Sequence, residues 1–127
     1  MSERRGRGDE GQAAVELALV LPVLALLALV VAQVGLIVRD QVQVTFGARE
    51  GAREAAVSPG ADAARRAVLA STALQGDRLE VEVAGRGAPG SRVRVELRYR
   101  SPTRLPLVGA LVDDVELQGG ASMRVEQ

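Results

Sequence analysis

Between Glu16 and Arg39 the chain carries no charged residue, and Leu17 to Val38 reads LALVLPVLALLALVVAQVGLIV. At ~1.5 Å per residue a helix of this run is ~33 Å long, enough to cross a hydrocarbon core of ~30 Å. Only Pro22, Gln33 and Gly35 interrupt the apolar pattern. Pro22 lies about a turn and a half inside, where loss of one backbone hydrogen bond is expected to kink the helix. A buried core helix is the first rival use of such a run, but a 127-residue chain has little other apolar surface to wrap it. A cleaved secretory signal is the second. Such signals are shorter and end in a small-x-small site, whereas this run continues into VGLIVRDQVQV. The reading is a retained single transmembrane helix. Arg4, Arg5 and Arg7 precede it, and Arg39, Arg49 and Arg53 follow. The positive-inside count is tied and leaves the orientation open.

The helix is expected to outlast the membrane, because no proline occurs from Arg39 to Val57 and Ser58-Pro59-Gly60 then supplies a stop. In this extension Gly47, Gly51 and Ala55 are spaced four apart, as are Ala48, Ala52 and Ala56. Two adjoining rows of small residues make a flat face that another helix can approach closely. Arg49, Glu50, Arg53 and Glu54 take the other side. The alternative is that Ala and Gly are simply abundant, and that glycines costing ~1 kcal/mol each in a helix mark local flexibility. Next, Ala61 to Leu74 reads as a short helix with Ala63, Ala67, Leu69 and Leu74 inward and Arg65 and Arg66 outward.

The period then changes to two. Leu79, Val81 and Val83 alternate with Glu80 and Glu82, and Val93, Val95, Leu97 and Tyr99 alternate with charged residues from Arg92 to Arg100. The linking AGRGAPGS is a loop by composition, so the two runs form a hairpin with Glu80 and Glu82 opposite arginines. A second strand pair is expected at Val112–Gln118 and Ala121–Glu126, joined at Gly119-Gly120, with SPTRLPLVGAL as an irregular apolar crossing. The fold class is α+β: a long N-terminal transmembrane helix and a small helix-plus-antiparallel-sheet domain. The expected division is 1–11, 12–57 and 58–127. The last part is small, and aromatic residues are 2% of the chain. It is therefore expected to lean on a partner, a second copy or the membrane.

Composition removes most enzyme chemistry. The chain has no Cys and no His, and its 16 basic residues are all Arg. Thiol chemistry, disulfides, His-based pairs and a Ser/Lys pair are thereby unavailable. Carboxylate-pair catalysis is left without an apolar cleft to work in. Net charge is zero, which gives no general pull toward nucleic acid. The arginines of the Arg92–Arg100 strand read as a solvated, paired face ahead of a phosphate site. Asp113, Asp114 and Glu116 lack the loop pattern of a calcium site and read as a solvated turn. No catalytic residue, metal, cofactor, nucleic acid or small-molecule substrate is expected.

A further signal lies at the start of the apolar run, in Gly11-Gln12-Ala13-Ala14-Val15-Glu16. Glu16 has a bland reading as an interfacial carboxylate among head groups. It also has a functional one, in which the chain is cut after Gly11. The new ammonium at Gln12 then stands ~6 Å along the helix from Glu16. Within an apolar bundle Glu16 pairs with the Gln12 amine of a neighbouring subunit, since each charge there needs a partner.

Gly11 followed by QAAVELALVLP resembles the processing site of type IV prepilins, in particular the TadE-like pseudopilins of the Flp (tight adherence) pilus system. AREGAREAAV (Ala48–Val57) resembles that family's stretch after the membrane helix, and ASMRVE (Ala121–Glu126) its common C-terminal ending. Leu17 stands where major Flp pilins usually carry an aromatic, and those pilins are much shorter, so the resemblance is to a minor pseudopilin. The larger exposed region of TadG-like proteins has no counterpart here. The resemblance implies a leader cut between Gly11 and Gln12 by a prepilin peptidase, and charge pairing through Glu16. It also implies pseudopilin or pilus-assembly partners in homo- or hetero-oligomers. The place is the cytoplasmic (inner) membrane, with the N-terminus cytoplasmic and the domain outside. The competing expectation is an uncleaved, signal-anchored extracytoplasmic binding domain unrelated to pili.

Overall fold

A computed structural model describes residues 6–126. Arg4, Arg5 and the first part of the expected leader lie outside the described residues, as does Gln127. One unbroken helix, α1, runs Gly6–Val57 through Pro22, over 52 residues, a length of ~78 Å. Two of its last carbonyls are satisfied at the expected stop. The Ser58 N–H donates to the Glu54 carbonyl (2.7 Å), and the Glu126 N–H donates to the Ala56 carbonyl (3.1 Å) from the far end of the chain. Gly60 then turns the backbone with φ 109°, a left-handed value that glycine adopts without a Cβ penalty.

Helix α2 spans Ala61–Ser71, three residues shorter than its pattern suggests. Thr72 ends it: its backbone is extended, and its N–H (3.1 Å) and Oγ1 (2.8 Å) both donate to the Val68 carbonyl. The buried face of α2 carries Ala64 and Val68, while Ala63 and Ala67 are only half-buried. The inward face is thus rotated by one residue from the expected one. Arg65 is not an outward residue either. Its guanidinium folds back, donating from Nη1 to the Leu79 carbonyl (2.7 Å) and from Nη2 to the Gly76 carbonyl (2.5 Å). A planar fork of donors suits two converging carbonyls, so this arginine clips α2 to the start of the sheet.

The sheet is an antiparallel meander in the order β1 (Leu79–Ala84), β2 (Arg92–Ser101), β3 (Val115–Arg124). The hairpin forms at the expected place, and Glu80 faces Arg98. Glu82 departs from expectation because its partner is Glu96. Glu96 is balanced instead along its own strand, by Arg94 at 2.9 Å. The expected second strand pair does not form. Val115 to Arg124 is one continuous strand, with Gly119 and Gly120 at its middle opposite Leu97 and Glu96. The glycines serve an approach and not a turn. A Cβ on Gly119 would stand 2.9 Å from Val44 Cγ1 and 3.4 Å from the Val44 carbonyl group, so α1 passes over β3 where no side chain intervenes.

Both helices cover the apolar sheet face. Val44, Ala48, Ala52, Ala55 and Ala56 of α1 and Ala64 and Val68 of α2 share one core with Leu79, Val93, Val95, Leu97, Tyr99 and Leu117. The small-residue rows of α1 are covered by this chain. A Cβ on Gly47 would lie 3.0 Å from Val68 Cγ1, and one on Gly51 would lie 3.0 Å from Val68 Cγ2 and 3.3 Å from Val95 Cγ1. Toward its N-terminal end α1 leaves the domain altogether: Val15 to Ala28 are all exposed.

Candidate processing and assembly site

Gly11, Gln12 and Glu16 lie on the uncovered part of α1, all exposed. The i, i+4 spacing stacks Gln12 on Glu16, and Gln12 Nε2 donates to Glu16 Oε1 at 3.3 Å. No atom lies within 4 Å of the position a Cβ would take at Gly11. The structure therefore places the three residues in one turn and a half of helix, free of the folded domain. Gly47, Gly51 and Ala55, by contrast, are buried in the core.

A second constellation joins helix and domain, and the sequence reading passed over it. Gln33 and Asp40 are seven residues apart, hence on one face of α1, and only 5% and 2% exposed. The Asp40 carboxylate accepts from Ser101 Oγ at 2.7 Å and from Arg104 Nη2 at 3.4 Å. Gln33 Oε1 accepts the Arg104 backbone N–H at 3.3 Å. Nearby, Gln41 Nε2 reaches the Gln118 carbonyl at 3.1 Å, and Gln43 Oε1 accepts the Ala73 N–H at 2.7 Å. These bonds form a polar collar at the foot of the domain. The signal available in the sequence was the lone amide of the apolar run and an acid seven residues on.

The outer sheet face carries both signs of charge, with Glu80 opposite Arg98 and Glu116 opposite Arg100 but like charges opposed at Glu82–Glu96 and Arg92–Arg124. A groove of about 450 Å³ is lined by Arg78, Glu80, Arg98, Arg100, Asp114 and Glu116, among others. Arg78 Nη1 meets Asp114 Oδ2 at 2.7 Å, and the Thr103 N–H donates to Asp114 Oδ1 at 3.2 Å. The Arg78 hydrogen bond, then the Thr103 N–H, holds the Asp114 carboxyl below its ordinary value. The same bond raises Arg78. Asp114, one of the acids weighed as a cation ligand, is thus engaged by a guanidinium and a backbone amide.

Among the described residues one helix is long and apolar enough to cross a membrane; near the N-terminus and carrying an α+β domain, it fits a single-pass membrane protein. The family comparison points the same way. A family model described as TadE-like protein matches residues 11–53, in agreement with the resemblance seen in the sequence. The match covers about a third of the chain, from Gly11 through the apolar run and most of the α1 extension. No curated protein matches, and no solved structure matches.

Proposed function

We propose that this chain is a non-enzymatic minor pseudopilin of Flp (tight adherence) pilus assembly or of a related secretion system. It is held in the cytoplasmic membrane with its N-terminus inside and its α2–sheet domain outside. Residues 1–11 form the leader, 12–57 the membrane helix with its extension, and 58–127 the remainder of the exposed domain. A prepilin peptidase cuts between Gly11 and Gln12, and Glu16 then pairs with the freed Gln12 amine of a neighbouring subunit.

The observation that carries this reading is where the TadE-like match begins: at Gly11, five residues before Glu16, on an exposed helix end. An exposed apolar stripe on α1 supports the reading as well. Val34, Val38, Val42 and Phe46, four apart, are all exposed. They make an apolar ridge that continues past Arg39 into the extension. With Gly47 and Gly51 turned to the protein's own core, this ridge extends the open surface of α1 from the apolar run to the level of the domain, where neighbouring pseudopilins or pilus-assembly proteins would pack.

The test is the intact mass and N-terminal sequence of the membrane-extracted protein, produced with and without a prepilin peptidase. A peptidase-dependent start at Gln12 is the expected result. Glu16→Ala should then insert and be cut normally, yet lose co-purification with its assembly partners. An uncut chain under both conditions would overturn the proposal in favour of an unprocessed, signal-anchored binding domain.

A further inference from the structure

The segment between β2 and β3 contains Leu105-Pro106-Leu107-Val108-Gly109-Ala110-Leu111-Val112, eight residues without one polar side chain, bounded by Arg104 and Asp113. Its backbone is closed on itself. The Gly109 N–H donates to the Leu105 carbonyl (3.3 Å), and the Leu111 and Val112 N–H groups both donate to the Val108 carbonyl (3.0 and 2.9 Å). Thr103 Oγ1 donates to the Val112 carbonyl at 3.4 Å across the mouth of the loop. Val108 is buried, but Leu107, Leu111 and Val112 are 64%, 79% and 47% exposed. Leu107 holds a left-handed φ of 68°, uncommon for a side chain of its size.

The position of this loop says what covers those side chains. The Arg104 N–H is bonded to Gln33, six residues before Arg39 and therefore ~9 Å back along α1 into the apolar run. The helix residues around this level, Val30, Val31, Val34 and Val38, are exposed. The loop thus starts at the level of the exposed apolar run of α1. Irregular backbone is tolerated at such a depth only when its polar groups are paired, and the closed turn meets part of that demand. Arg104 and Asp113 mark the polar boundary, as charged flanks do at a bilayer surface.

We propose that this loop is a second membrane contact. It inserts Leu107, Leu111 and Val112 into the head-group and acyl-chain boundary of the leaflet from which α1 emerges. The domain is then held to the bilayer at two points, with its orientation to the membrane set. The inference rests on α1 spanning the membrane.

The chain has no cysteine, so single-cysteine labelling is clean. The full chain is reconstituted in phosphatidylcholine vesicles, with an environment-sensitive fluorophore at Leu111→Cys or Leu107→Cys. Leu27→Cys serves as a mid-span reference, and Ala88→Cys, in the β1–β2 loop, as an aqueous one. The expected result at 107 and 111 is blue-shifted emission, loss of iodide quenching, and quenching by lipids with a shallow doxyl group. Emission and iodide quenching like those at 88, with 27 in hydrocarbon, would overturn the loop contact alone. Protection from iodide without doxyl quenching would overturn it in favour of a protein neighbour. Iodide quenching at 27 would overturn the spanning helix and the loop contact together.

Discussion

A carboxylate with so little exposure has to be balanced locally, and at Asp40 the balance comes from two directions. Ser101 ends β2 and Arg104 lies three residues on, in the following loop, so one side chain on α1 ties the sheet and the loop to the helix. Asp40→Ala leaves the buried Ser101 hydroxyl without its acceptor, and an unsatisfied buried donor costs ~1–3 kcal/mol. Denaturant titration in detergent should show a loss of that size, and a smaller one for Asp40→Asn, whose amide oxygen still accepts from Ser101. Asp114 behaves differently because it titrates at the surface. Its pKa in the folded protein lies below the usual value of 3.8, chiefly through the Arg78 hydrogen bond. Its contribution is therefore present above that value and is lost as the pH falls through the lowered one. Asp114→Asn should lower the melting temperature at neutral pH, with the difference from the unsubstituted protein disappearing in that acid window. About a third of each partner's side-chain surface is exposed, so the effect should also shrink with added salt.

At the scale of elements, glycines do different work on the same helix. Gly35 faces open space, whereas Gly51 lies against Val68 and Val95. A leucine at 51 has to displace α2 from the sheet, and overpacking of this kind costs ~1–3 kcal/mol or more. That outweighs the ~1 kcal/mol of helix propensity recovered by removing a glycine. Gly51→Leu should therefore make the domain sensitive to proteolysis, while Gly35→Leu should leave its melting temperature unchanged. The same comparison separates packing within the chain from association between chains. If Gly51→Leu spared domain stability and affected only crosslinking between copies, the packing described for α1 and α2 would be wrong. Helix α2 is held by Ala64, Val68 and Leu69 against the core and by the Arg65 bonds to the Gly76 and Leu79 carbonyls.

For the whole molecule, the membrane helix and the domain are not separable at Val57. Residues Val44 to Ala56 form one side of the core, and the strands and α2 form the rest. A fragment of residues 58–127 has an apolar sheet face with its main cover removed, below the size at which one core suffices. It should show no cooperative urea transition by circular dichroism, whereas a fragment of 40–127 should unfold in one. The scarcity of aromatic residues led to the expectation of support from a partner, a second copy or the membrane, whereas the main cover over the sheet is α1 of the same chain.

Local pattern by itself determined the apolar run, the helix stop at Ser58-Pro59-Gly60, the α2 segment and the β1–β2 hairpin. Each is set by a periodicity or a breaker acting within a few residues. The spacing of Gly11 and Glu16 and the resemblance around them were legible for the same reason, since they lie in one contiguous stretch. Only the tertiary structure decided that Gly119-Gly120 lie within a strand. A glycine pair is a turn signal locally, and only the passage of Val44 overhead makes it a point of contact. Tertiary structure likewise decided that Glu82 faces Glu96, because register depends on the partner strand. It also turned the small-residue face of α1 inward and drew Gln33, Asp40, Ser101 and Arg104 together from distant parts of the chain. Contacts between distant segments depend on how the elements pack, and no local period encodes that.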